Sequence, residues 1–303
     1  MDKRALDRIG IPCAPHPSGA ERARVLKVPS SGPEAERSAG QPEQPSNAGR
    51  GTNDRVTVQA LGGRRDFDAH AHVFMLADPM VRARRYTPED DAPLETWLGH
   101  LDRHGLQGGV LVQPSFLGTD NSRVLASVAQ ARARGYETYA SVVIGPETSA
   151  EALRDLRRAH VVSVRLNAVG REPPALDRSP WAPFLERLLR SGIALEVHAD
   201  WRVAIALLPT IREIGTWCVL DHYALAPTAE ALARVIAGAG ERVSIKASAP
   251  YRLRGRSPAM ASAPLTAALR HLLPPERILY GSDWPHTQHG DVTFERAWNT
   301  VIA

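Results

Sequence analysis

Cysteine is nearly missing from this chain: there are two, Cys13 and Cys218, in 303 residues. That leaves no disulfide framework and makes a reducing compartment, the cytoplasm, the expected location. No stretch approaches the roughly 18 consecutive apolar residues of a membrane-spanning helix, so no membrane partner is expected. The N-terminal MDKRALDRIGIPCAPHPSGA has early charges but no apolar run of signal-peptide length. Neither GxGxxG nor GxxxxGK[ST] occurs, which removes the usual phosphate loop of a nucleotide-binding open sheet. Blocks of Lys and Arg with interleaved aromatics are also lacking. The 37 Lys+Arg against 33 Asp+Glu leave a formal charge of +4, but the arginines are dispersed, so no nucleic-acid partner is expected. Arginines grouped near a pocket would instead suit a small anionic substrate.

What is present divides in two. Residues 1–62 are rich in Pro, Ser, Gly and Glu and carry no apolar period. Such a segment buries too little surface to offset its ordering entropy, and a disordered low-complexity tail is expected. Residues 63–303 alternate short apolar runs with amphipathic stretches of helical length. The expected strands are 65–70, 109–114, 136–144, 161–167, 194–198, 217–222, 243–248 and 278–283. Helical patterns fall at 121–134, 150–160, 180–191, 202–214 and 228–239. Eight such units in about 240 residues fit a single-domain α/β fold, the (β/α)8 TIM barrel, with parallel strands covered by helices. Only some 20 residues follow the last strand. Residues 292–302 supply an eighth helix and nothing closes the bottom after it, so the barrel is minimal or truncated at its C-terminus.

The polar residues fall at the strand ends. The first strand ends DAHAH, with His70 and His72 on one face of an extended segment. Later strands end with Gln113 and Ser115, Arg165 and Asn167, His198, Asp221 and His222, Lys246 and Ser248, and Asp283 before His286. In a (β/α)8 barrel all these ends share one mouth, where active sites sit. Singly, each has a bland reading. His198 or His222 could be a satisfied core histidine, Asp221 a helix cap, Arg165 an ion-paired residue. Lys246 points in or out depending on a register the sequence does not define. Their co-location is what points to chemistry.

The segments FDAHAHVF, VLVQPSFLGTDNS, VSVRLNAVGR, VLDHYA, VSIKASAPYRL and RILYGSDWPHT resemble the amidohydrolase superfamily, in the branch of the 2-pyrone-4,6-dicarboxylate lactonases. The resemblance runs from Phe67 to Thr287. It implies hydrolysis of a lactone or related carbonyl, in aromatic-compound catabolism, on a small anionic substrate; a homo-oligomer is compatible with it. It implies that Asp283 is the general base and that His70, His72 and His222 line the pocket as catalytic residues. Arg165, Arg171 and Arg252 would hold substrate carboxylates, with Ser115, Tyr251 and His286 as further substrate contacts. One departure stands out. The branch carries a further arginine after the strand-six histidine, where this chain reads His222-Tyr-Ala-Leu-Ala-Pro.

Two versions of the chemistry are open. In one, His70, His72, His198 and Asp283 hold a single divalent ion, zinc, which lowers the pKa of bound water to about 7 and polarises the carbonyl. In the other no metal is bound, histidines and arginines stabilise the oxyanion, and Asp283 alone activates water. The same residue pattern would also serve a zinc-dependent decarboxylase. A non-catalytic family member is the remaining alternative.

Overall fold

The computed structural model describes residues 56–253 and 258–303. The expected alternation is there. Eight strands run β1 (Phe67–Ala71), β2 (Gly108–Val112), β3 (Glu137–Val142), β4 (Val161–Asn167), β5 (Ala194–His198), β6 (Cys218–Leu220), β7 (Val243–Ala247) and β8 (Ile278–Tyr280). They neighbour one another in chain order, and every consecutive pair is parallel. The crossovers carry α1 (Leu94–His104), α2 (Ser122–Ala133), α3 (Ala150–Arg158), α4 (Trp181–Ser191), α5 (Trp201–Ile214), α6 (Ala229–Ala239) and α7 (Pro258–Leu272), and α8 (Phe294–Ile302) follows β8. Side-chain caps start several of them: Ser149 accepts from Ala152 N at α3, Asp200 from Arg202 N at α5, and Thr293 from Arg296 N at α8. No helix among the described residues is long and apolar enough to cross a membrane.

Two apolar clusters account for the packing. The larger joins strand residues such as Leu111, Val164, Leu195 and Ile245 to helix residues such as Trp97, Leu153, Phe184 and Leu208. The smaller draws Phe67, Val110, Tyr139, Val162, Ala194, Val219 and Leu279 from seven different strands, an arrangement that only the barrel interior allows. Val58 and Leu61 belong to this inner cluster. They sit on a 3-10 helix, Val58–Leu61, which corrects the tail boundary expected at residue 62. Leu61 is 2% exposed, so its burial favours order by roughly 1.5–3 kcal/mol. The segment is tied down by Gly63 N donating to Ile278 O at 2.8 Å. A Cβ at Gly62 would overlap the Glu276 carbonyl, so the close approach needs glycine. Residues 1–55 of the expected tail lie outside the described residues.

The barrel closes between β1 and β8 through side chains as much as backbone. Asp283 N donates to His70 O at 2.7 Å and His72 N to Trp284 O at 2.8 Å. Asp68, fully buried, accepts from Ser282 N at 2.8 Å, Ser282 Oγ at 2.7 Å and Trp97 Nε1 at 3.0 Å. It therefore fastens β8 and α1 to the first strand. The β1–β2 register shifts between Asp68 and Ala71. Such an irregularity breaks strict alternation, which lets Phe67 and Ala69 join the inner cluster while His70 and His72 both reach the mouth.

Candidate active site

The site is built from the ends of β1, β4, β5, β6, β7 and β8. Gly281 lets β8 come against β1, since a Cβ there would press on His70 at 2.7 Å. Asp283 follows in the left-handed conformation with φ 59°, a strained geometry for a non-glycine residue that is common at functional sites. Its two oxygens have different surroundings. Oδ2 accepts from Tyr251 OH at 2.6 Å and Arg252 Nε at 2.7 Å. Oδ1 is buried and has no hydrogen-bond partner among the described residues. Around it stand three imidazole nitrogens: His70 Nε2 at 3.5 Å, His72 Nε2 at 3.5 Å and His222 Nε2 at 3.8 Å. Burial alone would raise the Asp283 pKa. The adjacent Arg252 guanidinium outweighs it and holds the carboxyl well below its usual range.

Each histidine is oriented by its other nitrogen. His72 Nδ1 lies 2.7 Å from Val112 O; a carbonyl only accepts, so Nδ1 carries the proton and Nε2 presents a lone pair to the site. His222 Nδ1 meets Ser248 Oγ at 2.8 Å. His70 Nδ1 has two neighbours, Lys246 Nζ at 3.1 Å and Asp221 Oδ1 at 3.4 Å. If Nδ1 accepts from Lys246, Nε2 bears the proton and donates to His72 Nε2, 3.3 Å away. If Nδ1 donates to Asp221, Nε2 offers its lone pair instead. Burial pushes the His222 pKa down to about 4 and those of His70 and His198 well below normal, so all three are neutral at pH 7.

Beneath them lies a buried ionic quartet. Arg165 reaches Asp221 Oδ2 through Nε at 3.0 Å and Nη2 at 2.9 Å, and lies 3.7 Å from Glu196 Oε1. Lys246 Nζ stands 2.9 Å from Glu196 Oε2 and 3.3 Å from Asp221 Oδ1. Burial raises the Asp221 pKa, but Lys246 and Arg165 more than offset this and hold it well below normal; burial and the Asp221 charge push Glu196 up.

The mouth opens as a cavity of about 330 Å³. His72, Ser115, Arg165, His198, His222, Arg252 and Asp283 line it, with Arg85, Tyr86, Thr287 and His289. His70 is fully buried beneath. Tyr251 and His286 stand behind Asp283, bonded to each other at 2.9 Å, and neither is part of the lining. Arg171 is exposed in the loop after β4, outside the lining. Its charge is close enough to act on Arg85.

Among the described residues, the side chains able to share a cation are His70, His72 and Asp283, or His70, Asp221 and His222. A tetrahedral zinc with bonds of about 2.0–2.1 Å has ligand atoms roughly 3.4 Å apart. The separations of 3.3, 3.5 and 3.5 Å among His70 Nε2, His72 Nε2 and Asp283 Oδ1 meet that spacing. The orphaned Oδ1 and the lone pair on His72 fit a cation as well. His198 falls in neither group. Arg165 Nη2 lies 3.1 Å from its Nδ1, and a guanidinium can only donate. His198 Nδ1 is therefore the acceptor, Nε2 carries the proton, and the residue offers the pocket an N–H where a metal ligand was expected.

Lys246, Glu196, Asp68 and Arg85 are the residues that sequence reasoning left out or gave little weight. Lys246 and Glu196 are marked only by their rarity as charges inside apolar strands.

The amidohydrolase family pattern matches residues 67–301. The chain is 29% identical over 246 residues to a 4-sulfomuconolactone hydrolase of Rhizobium radiobacter, covering 74% of this chain and 77% of that one. It is 26% identical over 242 residues to a 2-pyrone-4,6-dicarboxylate hydrolase of Comamonas testosteroni, covering 72% and 76%. A crystal structure of a candidate 2-pyrone-4,6-dicarboxylic acid hydrolase from Acinetobacter baumannii, with citric acid bound, superposes with a TM-score of 0.73 at 31% identity, over 78% of this chain and 91% of that one.

Proposed function

The chain belongs to the amidohydrolase family, and on that premise we propose that it hydrolyses a small lactone bearing an acidic group, with Asp283 taking the proton of the attacking water. One observation carries the reading. Asp283 has one oxygen locked by Arg252 and Tyr251 and the other bare, buried and ringed by three imidazole nitrogens. A carboxylate so held is ionised at neutral pH and keeps both lone pairs of Oδ1 free, one for a proton and one for a cation.

Water between Oδ1 and the imidazoles would give its proton to Oδ1 as its oxygen bonds to the lactone carbonyl carbon. A strongly acidic carboxyl is a weak base, so the carbonyl must be polarised for the attack to proceed. The N–H of His198 and the guanidinium of Arg165 line the same cavity and are suited to stabilising the oxyanion. As the tetrahedral carbon collapses, the bond to the ring oxygen breaks and Asp283 returns its proton to that oxygen. One water is consumed and an open-chain hydroxy acid, or its keto tautomer, leaves.

His70, His72 and Asp283 would hold a single divalent cation, zinc by its donor set, which when bound polarises the carbonyl and acidifies water. The acidic group on the substrate is supported by the arginines at the mouth. It is also supported by the relatives: two are named for lactones carrying sulfonate or carboxylates, and a third holds citric acid. The test is proton release from a panel of five- and six-membered lactones with and without a carboxylate. Turnover of carboxylated lactones ahead of neutral ones is expected. Turnover of none, with the folded protein tested both zinc-loaded and chelator-treated, would overturn the reading.

A further inference from the structure

Among the described residues, pairing the charges at the mouth leaves one cation over. Arg165 and Lys246 face Asp221 and Glu196, two bases against two acids. Arg252 is matched to Asp283. The imidazoles of His70, His198 and His222 are neutral. Arg85 lines the same cavity, and among the described residues it has no hydrogen bond and no ion pair.

Arg85 is not a loose surface chain. It lies in the loop between β1 and α1, next to Tyr86, whose OH is 3.1 Å from Thr287 Oγ1 and whose ring meets Phe116 edge-on at 5.5 Å. On its other side Arg84 Nε donates to Thr87 Oγ1 at 2.7 Å. The loop is thus pinned to the turn after β8, directly beyond Asp283. Arg85 as a residue is exposed at the rim. Partial burial of its guanidinium works against its charge; the neighbouring Tyr86 oxygen favours it, and the like charges of Arg165, Arg252 and Arg171 oppose it again, leaving its pKa lowered. A cation held among cations with no counter-ion is a site that gains from an anion.

We propose that Arg85 is the specificity-determining residue of this site, binding one carboxylate substituent of the substrate at the rim while the lactone carbonyl lies over Asp283. This rests on the lactone-hydrolase reading. Its basis is that Arg165 and Arg252, the arginines expected to hold substrate carboxylates, already have their Nε groups on buried acids. Arg85 also shares the cavity lining with Leu225, in the segment after His222 where the sequence lacks an arginine. A planar guanidinium suits a carboxylate because it donates two parallel hydrogen bonds.

The test uses an ether in place of the lactone, so that binding is read without turnover. Tetrahydrofuran-2-acetate and its neutral amide are titrated calorimetrically into the full-length protein, its Arg85→Met variant and its Arg85→Lys variant. The wild type should bind the acid about 10-fold or more tightly than the amide. The Met variant should reduce that preference to about 3-fold or less, and the Lys variant, keeping the charge without the fork, should lie between. A Met variant that keeps the wild-type preference would overturn the proposal, as would a wild type with no preference for the acid. Absence of lactone turnover would count against the hydrolase reading alone, because the ether arm does not depend on it.

Discussion

Replacing Lys246 with methionine keeps most of the side-chain volume and removes one charge from a balanced, buried quartet. In the native protein its Nζ is 2.9 Å from Glu196 Oε2 and 3.3 Å from Asp221 Oδ1. At an effective dielectric near 20, unit charges at these separations attract by about 5–6 kcal/mol each. Several kcal/mol of that is returned, because the ammonium no longer has to be stripped of water. Against this, two carboxylates are left sharing one arginine. The expected net cost is about 3–5 kcal/mol, the range for breaking a buried ion pair from one side. Urea unfolding followed by circular dichroism measures it. The second arm is Lys246→Met with Glu196→Gln, which restores the balance of one cation and one anion. It should recover at least half of the loss, so the two changes should be strongly non-additive. A Met variant within about 1 kcal/mol of wild type, or a double variant as unstable as the sum of the singles, would refute the quartet as a charge-balanced unit.

Two further outcomes follow from the same chemistry. Chelator-treated protein should lose stability as the pH is lowered from about 6.5 towards 5. His222 titrates near 4 when folded and near 6.5 when unfolded; between these values the unfolded chain binds the proton and the native one does not. His70, His198, His100 and His286 act in the same direction, so the urea midpoint should fall as the pH is lowered through that range; a midpoint flat over it would contradict neutral imidazoles at His70, His198 and His222. For zinc, competition with a chromophoric chelator should give one site per chain, weakened at least about 10-fold by His72→Asn but within about 3-fold of wild type in His198→Asn. Equal losses in both variants would restore His198 as a ligand.

The sequence made the strand-end residues legible because barrel topology brings every strand end to one mouth. Asp283, His70, His72, His222, Arg165 and Ser115 could therefore be picked out by position alone. The roles of their partners could not. Arg165 and His198 are brought together by the β4–β5 register, in which Asn167 pairs with His198. That pairing turns His198 from a ligand into a donor, and no spacing along the chain encodes it. Lys246 and Glu196 sit in strands where in and out differ by one residue, so their inward placement depended on a register that sequence does not define. Arg85 lies in a loop between β1 and α1, where no period marks it. Val58–Leu61 is indistinguishable from tail in the sequence because a four-residue 3-10 turn is too short to show amphipathic repetition; only its packing into the inner barrel cluster explains its order.

The central claim, that Asp283 activates water for lactone opening, is tested most directly by Asp283→Asn. The change keeps the size and the Oδ position and removes the proton acceptor. Proton release from the best carboxylated lactone should fall by about 10³-fold or more, beyond the 10²–10⁴ expected for a lone general base only if Asp283 also holds a metal. Binding of tetrahydrofuran-2-acetate should stay within about 3-fold of wild type. An Asn variant that turns over within 10-fold of wild type, with its fold intact by circular dichroism, would contradict the account.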